Sequence, residues 1–188
     1  MTRIIAGNAK GRELKVPPRD TRPTSARVKE AVFSRLESWN AIDEARVLDL
    51  YAGSGALGLE ALSRGAYSCD FVEHHPPTAR MCQTNARSTR LANTEVHVCS
   101  VSAFLNNPCR ATWDLVFIDP PYDVDDGQLD EVIEQLSKGR LGYSATIVVE
   151  RAKRSRAPHF PSQLYTEVSH KTYGDTVMHY ACYQPEEK

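Results

Sequence analysis

A glycine-rich segment flanked by two acids is the first part of this sequence that suggests chemistry. Gly53, Gly55 and Gly58 have the spacing G-x-G-x-x-G, which gives a tight turn and lets a ligand approach the backbone. Asp49 lies four residues before Gly53, and Glu73 lies 20 residues after it. A carboxylate at Asp49 repels a diphosphate but attracts a cationic amino group, and an acid placed like Glu73 holds ribose hydroxyls. The pattern indicates S-adenosylmethionine as the ligand; a loop cap at Asp49 and a surface acid at Glu73 are the alternatives.

A second group of residues follows an apolar run at 115–118. It consists of Asp119, Pro120, Pro121 and Tyr122. The carboxylate of Asp119 and the carbonyl of Pro120 can both accept hydrogen bonds from one planar amino group, while Tyr122 stacks on its ring. Holding the protons of that amine turns its lone pair towards a methyl donor, and each such oriented group lowers the barrier by roughly 3 kcal/mol. We interpret the segment as a site of methyl transfer to an exocyclic amine; a rigid Pro-Pro turn is the alternative.

Strands and helices must alternate to position these groups. The apolar patterns predict strands at 47–51, 68–72, 95–99, 115–118 and 146–150, and helices at 58–64, 78–90, 101–105 and 129–138. A hairpin or irregular arm is predicted at 1–19, a helix capped by Thr24 or Ser25 follows it, and strands at 164–171 and 176–183 end the chain. The fold class predicted is α/β: a doubly wound, mostly parallel, seven-stranded Rossmann-like sheet with an antiparallel C-terminal edge strand and a small N-terminal extension. We divide the chain into a basic arm, hairpin and helix at 1–40 and a methyltransferase domain at 41–188.

The carboxyl ends of parallel strands share one edge of the sheet, and ligands bind there. Gly53, Glu73, Ser100, Asp119 and the basic run at 151–156 all lie just past predicted strand ends. We therefore expect the glycine loop, the Asp-Pro-Pro-Tyr segment and the basic run to face one cleft. The basic run is placed to hold phosphates beside a flipped base, and a solvated loop is the alternative.

Composition and charge limit the function further. The 188 residues carry 23 Lys and Arg against 24 Asp and Glu, but residues 1–40 hold nine basic and four acidic residues, a net charge of +5. A basic first fifth on an acidic body indicates contact with a polyanion, or merely a basic solvated surface. No apolar run reaches the roughly 18 residues of a membrane span, and no signal peptide is evident. The five cysteines form no C-x-x-C pair, so we expect reduced thiols, no metal and a cytoplasmic protein.

Several segments together resemble one known family. They are the glycine loop at 49–66, the opening segments at 3–7 and 10–12, the segments at 22–24 and 27–33, the Asp-Pro-Pro-Tyr segment at 119–122 and the late Tyr-Gly-Asp at 173–175. They are similar to those of bacterial guanine-N2 methyltransferases that modify 16S ribosomal RNA of the small subunit. The resemblance covers nearly the whole chain. It implies S-adenosylmethionine as donor, the 2-amino group of one guanine as acceptor, and the assembled small ribosomal subunit or a late precursor as substrate.

Roles for individual residues combine these patterns with the resemblance. The predicted catalytic residues are Asp119, Pro120 and Tyr122. The predicted cofactor-binding residues are Asp49, Gly53, Gly55, Glu73 and Ser100. Ser100 stands where the family usually has an acid that contacts the adenine amine. The predicted RNA-binding residues are Arg3, Lys10, Arg12, Arg22, Arg27, Arg151, Lys153 and Arg154.

Three other functions compete with this interpretation. A DNA amino-methyltransferase uses the same Asp-Pro-Pro-Tyr chemistry, but it usually needs a sizeable target-reading region for which 188 residues leave little room. A non-enzymatic RNA-binding assembly factor has no need for Asp49, Glu73 and Asp119 together. A nicotinamide dehydrogenase leaves residues 119–122 without a role. We expect a monomer that does not contact membranes.

Overall fold

Nine strands and five helices make up the computed structural model, which describes residues 2–17, 25–108 and 111–185. The strands are β1 Thr2–Arg3, β2 Glu13–Leu14, β3 Arg46–Leu50, β4 Ser68–Val72, β5 Thr94–His97, β6 Trp113–Ile118, β7 Leu141–Ala152, β8 Tyr165–Tyr173 and β9 Thr176–Tyr183. The helices are α1 Ala26–Ser38, α2 Ala56–Ser63, α3 Pro76–Thr89, α4 Val101–Asn106 and α5 Asp126–Ser137. Among the described residues, no helix has the length and apolar character that crossing a membrane requires.

Seven of the strands form one sheet in the order β5-β4-β3-β6-β7-β9-β8. The first five strands of that order are parallel, and β9 runs antiparallel to both β7 and β8. The predicted fold class and the C-terminal hairpin are therefore confirmed. Strand β7 is much longer than the predicted segment at 146–150, because it pairs with β6 on one side and with β9 on the other.

Helices cover both faces of this sheet. One buried apolar cluster joins α1, α2 and α3 to one face, through side chains such as Leu36, Leu59 and Cys82. A second cluster joins α4 and α5 to the other face, through side chains such as Leu105 and Val132. This arrangement is the doubly wound architecture, and it leaves the carboxyl ends of the parallel strands open at one edge.

The N-terminal hairpin is part of the core. Ile4 and Leu14 are buried in the same cluster as α1 and α2. The side chain of Asn85 in α3 accepts a hydrogen bond from the amide of Lys15 and donates to the carbonyl of Lys15, both at 2.9 Å. Ser25 caps α1 by accepting from the amide of Val28. Removing the first 20 residues would therefore open the core as well as remove basic charge.

A buried carboxylate joins the hairpin to the helix that follows the glycine loop. Glu60 of α2 is fully buried and accepts hydrogen bonds from the amides of Ile5 at 2.8 Å and Ala6 at 3.0 Å. The ammonium of Lys29 lies 3.1 Å from the same carboxylate, and the guanidinium of Arg64 lies 2.9 Å from it. This network fixes the hairpin, α1 and α2 relative to one another.

Candidate functional site

A cleft of about 1000 Å³ opens at the carboxyl ends of β3, β4, β6 and β7. The sequence-predicted residues that line it are Asp49, Gly53, Glu73, Asp119, Pro120, Tyr122, Arg151, Lys153 and Arg154. The structure therefore brings the glycine loop, the Asp-Pro-Pro-Tyr segment and part of the basic run to one place, as expected for residues that follow the carboxyl ends of parallel strands. The volume suits a ligand of cofactor size with room for part of a second one.

Two acids hold the glycine loop through hydrogen bonds to its backbone amides. A carboxylate oxygen of Asp49 accepts from the amide of Gly58 at 2.9 Å. One oxygen of Glu73 accepts from the amide of Gly53 at 3.0 Å, and the other accepts from the amide of His75 at 2.8 Å. Both acids are buried, and these hydrogen bonds fix the loop and place two carboxyl groups at the floor of the cleft.

Burial changes the acidity of Asp49. Loss of solvent raises the pKa of Asp49 to about 7; the hydrogen bond from Gly58 opposes that rise, and the nearby charge of Glu73 adds to it. A group with this pKa is protonated in much of the ligand-free protein at neutral pH. A cation bound beside Asp49 favours its ionised form, so the residue is suited to receive one.

Two glycines of the loop have different roles, and their alanine variants should separate them. Gly58→Ala is expected to destabilise the fold, because its Cβ would lie 2.5 Å from both Cys69 Sγ and Phe71 Cε1. Gly53 has φ of +56° but open space around its Cβ position. Gly53→Ala should therefore cost only about 1 kcal/mol of stability and mainly weaken ligand binding. Urea unfolding and calorimetric ligand titration of the two variants test this; equal stability of both would contradict it.

The Asp-Pro-Pro-Tyr segment lines the same cleft as Asp49 and Glu73. Asp119 and Pro120 are partly buried, whereas Tyr122 is 77% exposed at the rim. Burial raises the pKa of Asp119 well above its usual range, and the charges of Glu150 and Asp49 add to that rise. Ile118 of β6 lies opposite Val149 of β7, so the residues that follow them, Asp119 and Glu150, are neighbours. Asp49, Asp119 and Glu150 thus form a group of acids at the cleft, and positive charge that develops beside them favours their ionised forms.

The basic run divides into two parts. The Arg151 side chain is buried, and its guanidinium lies 2.6 Å from the carboxylate of Asp126. Arg156 is paired with Asp126 and Asp130 on the protein surface. Lys153 and Arg154 are exposed at the cleft. These two are the basic members of the run with exposed side chains at the cleft, while Arg151 contacts Asp126 within the protein.

Several predicted site residues are not among those that line the cleft. The Ser100 hydroxyl caps α4 by accepting from the amide of Ala103 at 3.1 Å. Gly55 precedes α2, where a Cβ would lie 2.8 Å from Cys82 Sγ, so packing explains this glycine. Other predicted residues with positions outside the cleft lining are Arg3, Lys10, Arg12 and Arg27. Arg22 lies outside the described residues.

Sequence reasoning missed part of the cleft wall. Lys29, His75 and Thr78 line it, and the side chains of His75 and Thr78 are 2.9 Å apart. The spacing of the sequence does show that Lys29 is unusual, because it falls on the same helical face as the apolar residues Val32, Phe33 and Leu36. A lysine on a buried face needs a partner of opposite charge. Nothing local in the sequence identifies Glu60 as that partner.

One cluster of metal-ligating residue types lies outside this cleft. Asp70, Glu95 and His97 bring one ligand atom each within 4.8 Å of one another. One oxygen of Asp70 lies 2.9 Å from His97 Nε2, and the other accepts from the indole of Trp113 at 2.8 Å. Both oxygens of Asp70 are therefore engaged within the protein.

Comparison with known proteins adds independent information. A family model described as "Conserved hypothetical protein 95" matches residues 2–182. The Ribosomal RNA small subunit methyltransferase D of Escherichia coli strain K12 is 36% identical over 162 residues, which cover 85% of this chain and 79% of that protein. The protein of the same name from Haemophilus influenzae is 34% identical over 187 residues, covering 97% of this chain and 93% of that protein. A solved structure described as a putative methyltransferase, yhhF, from Escherichia coli superposes with a TM-score of 0.86 at 33% identity, and covers 98% of this chain and 99% of that one.

Proposed function

The chain belongs to the Conserved hypothetical protein 95 family, and we propose that it transfers a methyl group from S-adenosylmethionine to the N2 amine of one guanine in 16S ribosomal RNA. The names of its relatives support an rRNA methyltransferase, and those relatives are named for the small subunit. The observation that carries the finer proposal is the position of Asp119 and Pro120 in the cleft that also holds Asp49 and Glu73. We further propose that the substrate is the assembled small subunit or a late precursor, and that the protein works in the cytoplasm.

The floor of the cleft fits S-adenosylmethionine. The carboxylate of Asp49 is placed for the amino group of this ligand, and Glu73 is placed for its ribose hydroxyls. The glycine loop lies between them, where Gly53 offers a backbone without a side chain. A diphosphate would meet two buried carboxylates here, so a nicotinamide dinucleotide does not suit the site. S-adenosylmethionine, when bound, supplies an electrophilic methyl group on a sulfonium sulfur.

The part of the cleft formed by the Asp-Pro-Pro-Tyr segment suits a guanine amine. The Asp119 carboxylate and the Pro120 carbonyl hold the two protons of the amine, so that its lone pair is free to react. Tyr122 is exposed at the rim and has an open ring face on which a base can stack. The amine becomes positive as it reacts and must then lose one N–H proton. A carboxylate whose pKa is raised, as that of Asp119 is, suits the acceptor of that proton.

Cofactor affinity should depend on pH through Asp49. Its pKa is about 7 in the ligand-free protein, and a cationic amino group binds best to the ionised form. The association constant for S-adenosylmethionine is therefore expected to rise by about tenfold per pH unit between pH 5 and 7, where binding also releases a proton. Calorimetry in two buffers with different ionisation enthalpies measures both effects. A constant affinity with no proton release would contradict the role of Asp49.

The Asp49→Asn variant is the matched control. It keeps an oxygen that accepts from Gly58 but carries no charge, so its cofactor affinity should be low and independent of pH. Because the folded protein holds the Asp49 proton to a higher pH than the unfolded chain does, the free energy of unfolding falls as pH rises from about 4 to about 7. The variant should therefore melt at a higher temperature than the wild type at pH 8, without ligand present.

The proposed reaction is tested by offering the enzyme three kinds of nucleic acid. Methyl groups from labelled S-adenosylmethionine should enter unmethylated small ribosomal subunits, and they should enter naked 16S RNA more slowly and duplex DNA hardly at all. Label in DNA alone would indicate a DNA amino-methyltransferase. Tight binding of subunits without any transfer would indicate an assembly factor.

A further inference from the structure

Helix α3 carries positive charge and no acid. Its sequence from Pro76 to Thr89 includes Arg80 and Arg87, and Arg90 follows at its C-terminal cap. All three arginines are exposed. Arg80 and Arg87 are seven residues apart, which places them on one face of the helix with about 10 Å between their Cα atoms along the axis.

The N-terminal hairpin lies against this helix. The guanidinium of Arg12 donates to the carbonyl of Ser88 at 3.4 Å, and Lys15 exchanges hydrogen bonds with the side chain of Asn85. Lys10, Arg12 and Lys15 are exposed. The α3 basic face, as we name it, consists of Lys10, Arg12, Lys15, Arg80, Arg87 and Arg90.

The cations of this face differ from many others on the protein. Within the described part of the chain, none of the six forms an ion pair with a carboxylate, whereas Arg46, Lys138 and Arg156 pair with acids. The acid of the hairpin, Glu13, lies opposite Arg3 in the strand pair. In a chain with a net charge of −1, six cations that have no carboxylate partner among the described residues, on two adjoining elements, are suited to a polyanion.

The α3 basic face begins at the cleft. His75 and Thr78 at the start of α3 line the cleft, and so do Val16 and Pro17 at the end of the hairpin segment. The face then continues along α3, away from Asp119. We propose that it binds the phosphates of the RNA strand that leads out of the cleft, beside the target guanine. This inference rests on the proposed function and adds Arg80, Arg87 and Arg90 to the substrate contacts.

The test replaces the three helix arginines together. The variant R80Q/R87Q/R90Q should bind unmethylated small ribosomal subunits about tenfold more weakly at physiological salt, and the slope of log K against log salt should become shallower by about 2. Its KM for subunits should rise, while kcat, the cofactor affinity and the melting temperature stay as in the wild type. The control R46Q/K138Q/K171Q removes the same number of positive charges away from the α3 basic face. Arg46 and Lys138 are paired with acids, and Lys171 lies in β8 at the opposite edge of the sheet. This control should behave like the wild type.

A lysine version, R80K/R87K/R90K, separates charge from structure. Phosphate contacts need the positive charge, so this variant should keep most of the affinity for subunits and most of the salt slope. If it loses as much affinity as the glutamine variant, the arginines act through the fold, and the inference is overturned. A glutamine variant with wild-type KM and slope would also overturn it and would leave the proposed function intact. If the wild type transfers no methyl group to subunits or their RNA, the proposed function fails, and the inference fails with it.

Discussion

The Asp119→Ala variant is expected to transfer methyl groups about 10²–10³-fold more slowly than the wild type, with little change in its affinity for S-adenosylmethionine. The carboxylate is the proposed acceptor for the amine protons, so its removal affects the transition state more than the ground state. The cofactor contacts proposed for Asp49 and Glu73 remain in place. Single-turnover rates with unmethylated subunits and calorimetry with the cofactor measure the two quantities separately.

Two companion variants sharpen that result. Asp119→Asn keeps one acceptor oxygen but no charge, so it should fall between alanine and the wild type. Tyr122→Ala removes a stacking surface that is already exposed, and its main effect should be on binding, by about 1–3 kcal/mol. If Asp119→Ala lost cofactor binding while retaining the rate at saturation, Asp119 would belong to the cofactor site and our assignment would be wrong.

The Glu60→Ala variant is expected to lose about 3–5 kcal/mol of unfolding free energy, because the change leaves a buried ammonium without its partner carboxylate. Glu60 accepts from the amides of Ile5 and Ala6, and its carboxylate contacts Lys29 and Arg64. Both Glu60 and Lys29 are almost fully buried. Urea unfolding followed by circular dichroism gives the free energy, and the hairpin should also become accessible to protease.

A double variant shows whether the loss comes from the unpaired charge. Lys29→Met combined with Glu60→Gln removes both charges and keeps an acceptor for the hairpin amides, so it should be more stable than Glu60→Ala. A cost below about 1 kcal/mol for Glu60→Ala, as for an exposed ion pair, would contradict the described network.

Much of the fold was predictable because strands and helices leave periodic patterns of apolar residues. The runs around residues 47–50 and 115–118 are the central strands β3 and β6, and each ends at the cleft. Once the strand order is known, Asp49, Glu73 and Asp119 must lie at one edge. The family resemblance was confirmed by the family model and the relatives.

Other features depend on contacts that spacing cannot show. The partner of Lys29 is 31 residues away in the sequence, and the C-terminal end of β7, at Arg151 and Ala152, pairs with β9. Ser100 follows a strand, yet its hydroxyl caps α4. Arg151 belongs to a basic run, but its charge is paired with Asp126. The contact between α3 and the N-terminal hairpin, through Asn85 and Lys15, depends on residues 70 positions apart.

The most direct test of the central claim is the identity of the methylated nucleoside. Unmethylated small subunits are incubated with the wild-type enzyme and S-adenosylmethionine, and the RNA is then digested and analysed by mass spectrometry and primer extension. We predict N2-methylguanosine at one position of 16S RNA, absent from the reaction with Asp119→Ala. A methyl group on a ring nitrogen, on ribose or on another base would contradict the account, and so would a wild-type reaction that leaves the RNA unmodified.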